Sequence, residues 1–489
     1  MYFTSEGNWY MIKYIERISL IYIPSRRSGL GIERNKLSMA LTAQHDLTQG
    51  RVGSQLIRYA LPVVASSLLQ AIYSIVDMLV VSQLLGETGA SGVSNGSQCI
   101  TLLTQVAIGL SNGGNILVGQ YFGAKDQDNR EETTGSFLAL FAIVGAVVSV
   151  MVCLAAGPFM RLMGAPALEE ATDYLAAAGW GLFFVYGYNA LASVLRAMGN
   201  SQTPMRCVMI SVAVNVGLDL LFVGPLGWGT AGAAWATVIA QAISFALCLG
   251  YLLRHREFFS FARDRLRLRW RKIRVILRLG IPCAVQMTVA GISWLVVTYL
   301  INDYGAVISA ANAYSGKIKD LSGMFISAMS TAAASMVAQN LGAGLYDRGK
   351  QVMYTAMRMA LAMAAVIIVV VELAAPVLVG AFTDDPQAIH YAVLNLRIEI
   401  LGQVFYAIFL VYHALMLGAG DTWWVFLSSF ANCIVFRVVL SILFERFWGV
   451  EGIYVACAIA PCISVPVGMY YTWSNRWRKS LAQPVKEEN

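Results

Sequence analysis

Two carboxylates fall inside stretches otherwise built from hydrocarbon side chains. Asp77 lies within IYSIVDMLVV and Asp219 within VAVNVGLDLLFV. An ionisable group in such a run is costly unless paired, hydrated or protonated, which makes it a functional candidate by default. Asn215 precedes Asp219 by four residues, so both project from one helical face. Thr237 sits in the next apolar run, in AAWATVIAQ. Two carboxylates with an amide and a hydroxyl can hold Na⁺ through oxygen. Carboxyls that share a low-dielectric site also resist double ionisation, so the same set can take up a proton instead. Both ions remain open at this point. The competing reading of each acid is a structural hydrogen bond between helices.

The elements that must position these groups are membrane spans. The chain has 489 residues, 57% hydrophobic and 13% charged, where soluble domains carry about 25% charged residues. Apolar runs near the length that crosses a bilayer recur at 58–85, 92–119, 135–157, 172–197, 204–224, 230–253, 275–301, 308–336, 353–380, 391–417, 424–444 and 452–473. That gives an all-α integral membrane protein with twelve spans. Lys and Arg gather in 254–274, near 121–134, near 341–352 and in the C-terminal tail, while 86–91, 225–229 and 302–306 hold none. The positive-inside rule then puts both termini and the central loop in the cytoplasm of a cell-membrane protein. Counted from the outer ends at 1.5 Å per residue, Asp77, Asp219 and Thr237 lie about 12, 8 and 12 Å deep. They therefore share a level. Pro62, fifteen residues before Asp77, removes one helical hydrogen bond and permits a bend.

The sequence is also a tandem duplication. VGQYFGAKD at Val118 returns as VAQNLGAGL at Val337, and RYALP around Pro62 as RLGIP around Pro282. MGNSQT is echoed by LGAGDT, and GTAGAAWA by GVEGIYVA. Six spans per copy place the two halves in the same orientation, related by an axis along the membrane normal, as in many transporters. The shared positions are glycines, prolines and alanines. At the shifts set by neighbouring motifs Asp77 faces Val297, Thr237 faces Cys457, and Asp219 faces Phe436 beside the matched Asn215 and Asn432.

The second half carries its own charges: Lys317, Lys319 and Asp320, then Arg397, Glu399 and Arg437. Lys317 and Asp320 are spaced to pair on one face. These groups line an aqueous cavity that touches substrate, or they satisfy one another. The basic run RLRLRWRK reads as a solvated linker against anionic lipid. Eight cysteines without a CxxC pair and four scattered histidines suggest neither disulfides nor a metal centre. Residues 1–38 lack a long apolar run and a signal-peptide pattern. Either WYMIKYIERISLIYI lies on a membrane surface, or the start is misassigned and Met39 opens the protein.

These pieces together resemble the multidrug and toxic compound extrusion transporters, and within them the branch of DNA-damage-inducible exporters. The resemblance rests on DLTQG at Asp46, ALPVVASSLLQAIYSIVD, VGQYFGA with its echo AQNLGAG, LRAMGNSQTP, NVGLDLLFVGPLGWGTAGAAWAT and YYTWSNRWRK, across about 46–479. It implies two six-helix bundles around a cleft open alternately to each side, and antiport of a cation against an organic, mainly cationic or lipophilic substrate. It places the cation or proton site at Asp77, Asn215, Asp219 and Thr237, adds Asn189, and gives Pro62 the bending role. The seventh span departs from some members: it has no acid, and Gln286 is its main polar group. That points to coupling in the first bundle.

The layout expected is an extension at 1–48, a bundle at 49–253, a basic linker at 254–274, a second bundle at 275–474 and a tail at 475–489. Gln286, Lys317, Asp320 and Glu399 are candidate cavity residues. The implied partners are small organic molecules and lipids, with no nucleic acid and a monomer as the working unit. No cofactor is expected beyond the transported H⁺ or Na⁺. No HExxH, nucleophile elbow or Walker A sequence occurs, which argues against an enzyme or direct ATP drive. The nearest rival is a flippase of the same superfamily moving a lipid-linked saccharide, with Lys317, Lys319, Arg397 and Arg437 as its cations.

Overall fold

A computed structural model describes residues 46–255, 258–261 and 264–482. The readings made of residues 1–38 and of Met39 lie outside them. Within lipid every backbone polar group must be satisfied inside its own segment, and the apolar runs accordingly form helices. The helix Val52–Gly123 has helical dihedrals except at Gly86 (φ 67°, ψ −165°), a backbone conformation that favours glycine. Its two ends come back to one place. Tyr59 Oη donates to the Arg196 carbonyl at 2.8 Å, and a Cβ on Gly119 would touch Ala197. The helix is therefore two spans, α1 (52–85) and α2 (87–123). The first half continues with α3 (Gln127–Leu162), α4 (Leu168–Ala197), α5 (Gln202–Val223) and α6 (Gly229–Arg254).

The second half has α7 (Trp270–Asn302), α8 (Ala306–Gly342) and α9 (Tyr346–Gly380). Its α10 is a pair, Pro386–Leu401 and Gln403–Gly418, bent by 44° at Gly402. Its α11 (Thr422–Trp448) and α12 (Val450–Trp473) complete the set. The twelve helices form two six-helix bundles related by a pseudo-two-fold axis along the membrane normal. Several helices run past the apolar stretches read from sequence, because an α-helix continues into the polar interface once its apolar part is formed. Two irregularities go beyond the spans read from sequence. Ala431–Val438 of α11 is π-helical, and Ala460–Ile463 of α12 is a 3₁₀ turn with Pro461 at its start. Large side chains such as Leu154, Leu162, Leu373 and Val377 stay exposed, as a lipid-facing surface requires.

The arginine-rich linker is largely exposed over 264–270, as read from the sequence, and it is also tied to the first bundle. Arg265 pairs with Asp128 at 2.7 Å and Glu131 at 3.5 Å, and Arg269 pairs with Glu132 at 2.9 Å. Ser136 Oγ donates to the Arg267 carbonyl at 3.0 Å. A Cβ on Gly135 would run into the Arg265 carbonyl. The acids of the first turns of α3 compensate the linker's charge and strap it to the first bundle. This side of the molecule is called the linker end below.

The bundles meet through small residues. Gly109 and Gly113 of α2 lie against Ala284 and Gly280 of α7, where a Cβ on either α2 glycine would collide with α7 backbone. Such small-xxx-small faces let membrane helices approach closely. At the linker end α2 crosses α8, and the contact is reciprocal. A Cβ on Gly123 would strike the backbone of Gln339, and one on Gly342 would strike that of Gln120. The two fully buried glutamines mirror each other as well. Gln120 Nε2 donates to the Gly418 carbonyl at 2.8 Å, and Gln339 Nε2 to the Ala197 carbonyl at 2.7 Å. Each also accepts one backbone N–H, Gln120 from Leu481 at 2.7 Å and Gln339 from Leu47 at 3.1 Å. The repeated motif that reveals the duplication is thus the seal between its copies.

Candidate functional site

α1, α5 and α6 bring Asp77, Asn215, Asp219 and Thr237 together. Asp219 is 1% exposed and Asn215 2%, while Asp77 and Thr237 are half-buried. The carboxyls of Asp77 and Asp219 are neighbours in this cluster, close enough for each to feel the other's charge. Two carboxyls sharing an apolar site resist double ionisation, which favours a proton or a cation between them. Asn215 bridges the next step. With its amide nitrogen towards Asp219 it donates to Oδ2 at 2.9 Å, and its oxygen accepts from the Thr237 backbone N–H at 3.3 Å. The i,i+4 spacing read from sequence produces this contact directly. Oδ1 of each aspartate is buried with no hydrogen-bond partner among the described residues. Two unsatisfied acceptors in one place suit a cation or a second proton.

Two tyrosines, not singled out in the sequence, complete the site. Tyr73, one turn before Asp77, has its hydroxyl 3.1 Å from Thr237 Oγ1. Tyr174 of α4 is buried beside Tyr73 and both aspartates. With 22 tyrosines in the chain, nothing in their spacing distinguishes these two. Asn189 donates through its amide to the Val185 carbonyl, one turn back, at 2.8 Å. Pro62 is buried in α1, whose helical dihedrals run unbroken through it to Asp77.

In the second bundle a cavity of about 420 Å³ is lined by Trp294, Lys319, Asp320, Glu399 and Arg437, among others. The expected Lys317–Asp320 pair does not form. Lys319 instead pairs with Glu399, 80 residues away, because α8 and α10 pack together while Lys317 points to the exposed side. Lys317 and Gln286 are absent from the cavity lining; Asp320 and Glu399 belong to it. Lys319 and Arg437 both lie over the Trp294 ring, 4.1 and 4.2 Å from its centroid.

The MatE family model matches the chain twice, over residues 62–221 and 282–443, opening each time on the proline of the repeat. The chain belongs to the MatE family. This is the family of multidrug and toxic compound extrusion proteins, which are transporters and not enzymes. Among similar chains are the probable multidrug resistance proteins YpnP and YoeA of Bacillus subtilis (strain 168). YpnP is 25% identical over 436 residues, spanning 89% of this chain and 98% of the relative. YoeA is 24% identical over 432 residues, spanning 86% and 93%. A solved structure described as the outward-facing conformation of a multidrug resistance MATE family transporter superposes with a TM-score of 0.84 at 20% identity. It covers 89% of this chain and 98% of the other, and at that identity it speaks for the MATE fold alone.

Proposed function

We propose that this MATE protein is a secondary antiporter that exports organic, mainly cationic or lipophilic compounds by alternating access. H⁺ or Na⁺ enters at Asp77 and Asp219 in exchange. The observation that carries this reading is the pair of neighbouring aspartates, each with a buried unpartnered oxygen among the described residues, in an otherwise apolar bundle. Charging and neutralising such a pair changes how well it tolerates a cationic guest and how its helices pack. That is the differential interaction any coupled transition needs. The linker end is cytoplasmic in this reading, so the Gln120 and Gln339 seal closes the inner side and the protein works as a monomer in the cell membrane. The names of similar chains favour an exporter over a lipid-linked saccharide flippase.

Purified protein in liposomes, given a proton gradient or a sodium gradient separately, tests the proposal. Dye movement should follow one gradient and collapse with its ionophore. Movement that ignores both gradients would remove antiport. The site also makes a smaller prediction. Thr237→Ala deletes the hydroxyl that meets Tyr73, at a cost of about 1 kcal/mol. The concentration of coupling ion giving half-maximal efflux should rise about fivefold. An unchanged ion dependence would take Thr237 out of the site.

A further inference from the structure

The second bundle holds a counterpart of the aspartate site, reached by a shift in helical register. In α5 Asp219 follows Asn215 by four residues, one α-turn. In α11 Asn432 matches Asn215, but Ala431–Val438 is π-helical, so the residue one turn on is five positions later. That residue is Arg437. Straight counting by four sets Asp219 opposite Phe436; the extra residue of the π turn sets it opposite an arginine. Cys457, the match of Thr237, and Trp294, beside the match of Tyr73, line the same cavity. Where the first bundle has a buried acid, the second has a buried base.

Arg437 is only 7% exposed. Its Nε and Nη1 are buried with no hydrogen-bond partner among the described residues, and no described ion pair includes it. Lys319 cannot relieve it, being a cation already spent on Glu399. Three helices break their regular form around this cavity: α10 bends at Gly402, α11 carries the π turn, and α12 has the 3₁₀ turn at Pro461. Gly402, Arg437 and Pro461 all line it. Irregular backbone at membrane depth is tolerated where it lines a cavity, and broken helices are how transporters build sites for charged groups. Ser67 of α1 is also in the lining, so the cavity faces the first bundle.

We infer that this cavity is a binding subsite for flat aromatic zwitterions, with Arg437 anchoring the carboxylate. The guanidinium fork matches a planar carboxylate, and the Tyr406 ring lines the same cavity. Asp320, exposed in the same lining and in no ion pair among the described residues, receives the cationic end. The inference rests on the exporter reading for its substrate class, and it adds an anionic group to compounds that the first bundle alone would select for positive charge.

The test uses full-length protein in lipid nanodiscs with no ion gradient. Two dyes differ in one group: rhodamine B carries a free carboxylate, and its ethyl ester does not. Fluorescence polarisation should show wild type binding the acid about tenfold more tightly than the ester, the effect of one charge-assisted contact in a dry site. In Arg437→Met that ratio should collapse towards one, and Arg437→Lys should restore part of it. Wild type binding the two dyes equally overturns the inference, as does a ratio that survives in Arg437→Met. If Arg437→Met does not yield monodisperse protein, the wild-type ratio decides alone. Failure of antiport would leave this equilibrium ratio intact, and loss of the ratio would leave gradient-driven efflux intact, so the two proposals fail separately.

Discussion

Replacing Asp219 by asparagine should reduce ion-driven dye efflux from energised vesicles to the level of vesicles without the protein. Asp219 is the most buried member of the aspartate pair, and it is held from both sides, by Asp77 and by Asn215. An amide of the same shape can still accept from Asn215, so the fold should survive. Removing a potential charge from a hydrocarbon-buried position is not itself destabilising. What is lost is the ability to exist in two charge states. Coupling free energies of about 1–3 kcal/mol correspond to about 5–150-fold, and loss of the titrating group removes that whole factor. Asp77→Asn should follow closely, with more residual activity because Asp77 is only half-buried. Efflux that stays ion-dependent and undiminished in both variants would refute the coupling site.

The seal at the linker end supports the second large effect. Gln339→Ala strands two buried backbone groups, the Leu47 N–H and the Ala197 carbonyl. Each orphaned group costs about 1–3 kcal/mol. Gln120→Ala does the same to the Leu481 N–H and the Gly418 carbonyl. Shifting a two-state equilibrium from one extreme to the other takes about 5.5 kcal/mol, so the double variant should leave the closed linker end a minority state. Hydrogen–deuterium exchange should report it: peptides covering 117–124 and 336–343 should lose protection, while those around 85–91 should not. Unchanged protection at the crossing would show that the glycine contacts hold the seal without the glutamines.

Much of the candidate site was legible because it violates its surroundings. Asp77 and Asp219 stand out against hydrocarbon. The four-residue step from Asn215 fixes a common face, and counting from the span ends puts Thr237 at their level. The tyrosines were hidden for the opposite reason, since Tyr73 and Tyr174 look like ordinary packing in a chain rich in aromatics. Pairing in the second bundle misled local reasoning. Lys317 and Asp320 have the spacing of a pair, but Lys319 found Glu399 across the interface of two helices, which no local spacing encodes. Arg437 was visible as a charge, yet its place opposite Asp219 depends on one π turn. A register read in fours cannot show that. The glutamines of the repeat were plain in the sequence as a recurrence, and only the packed halves show that each serves the other's helix end.

The reciprocal glutamine contacts also tie the protein's working geometry to the order in which it is synthesised. Gln120 is made early, yet its oxygen is satisfied by Leu481, 361 residues later, beyond the last span. Gln339 in turn reaches back to Leu47 and Ala197, made long before it. A nascent chain with its first bundle already in the bilayer therefore has an unfinished linker end. Completion of that end waits on a short tail beyond the last span, so a chain released before Leu481 would hold twelve complete spans and still leave the Gln120 oxygen without its donor.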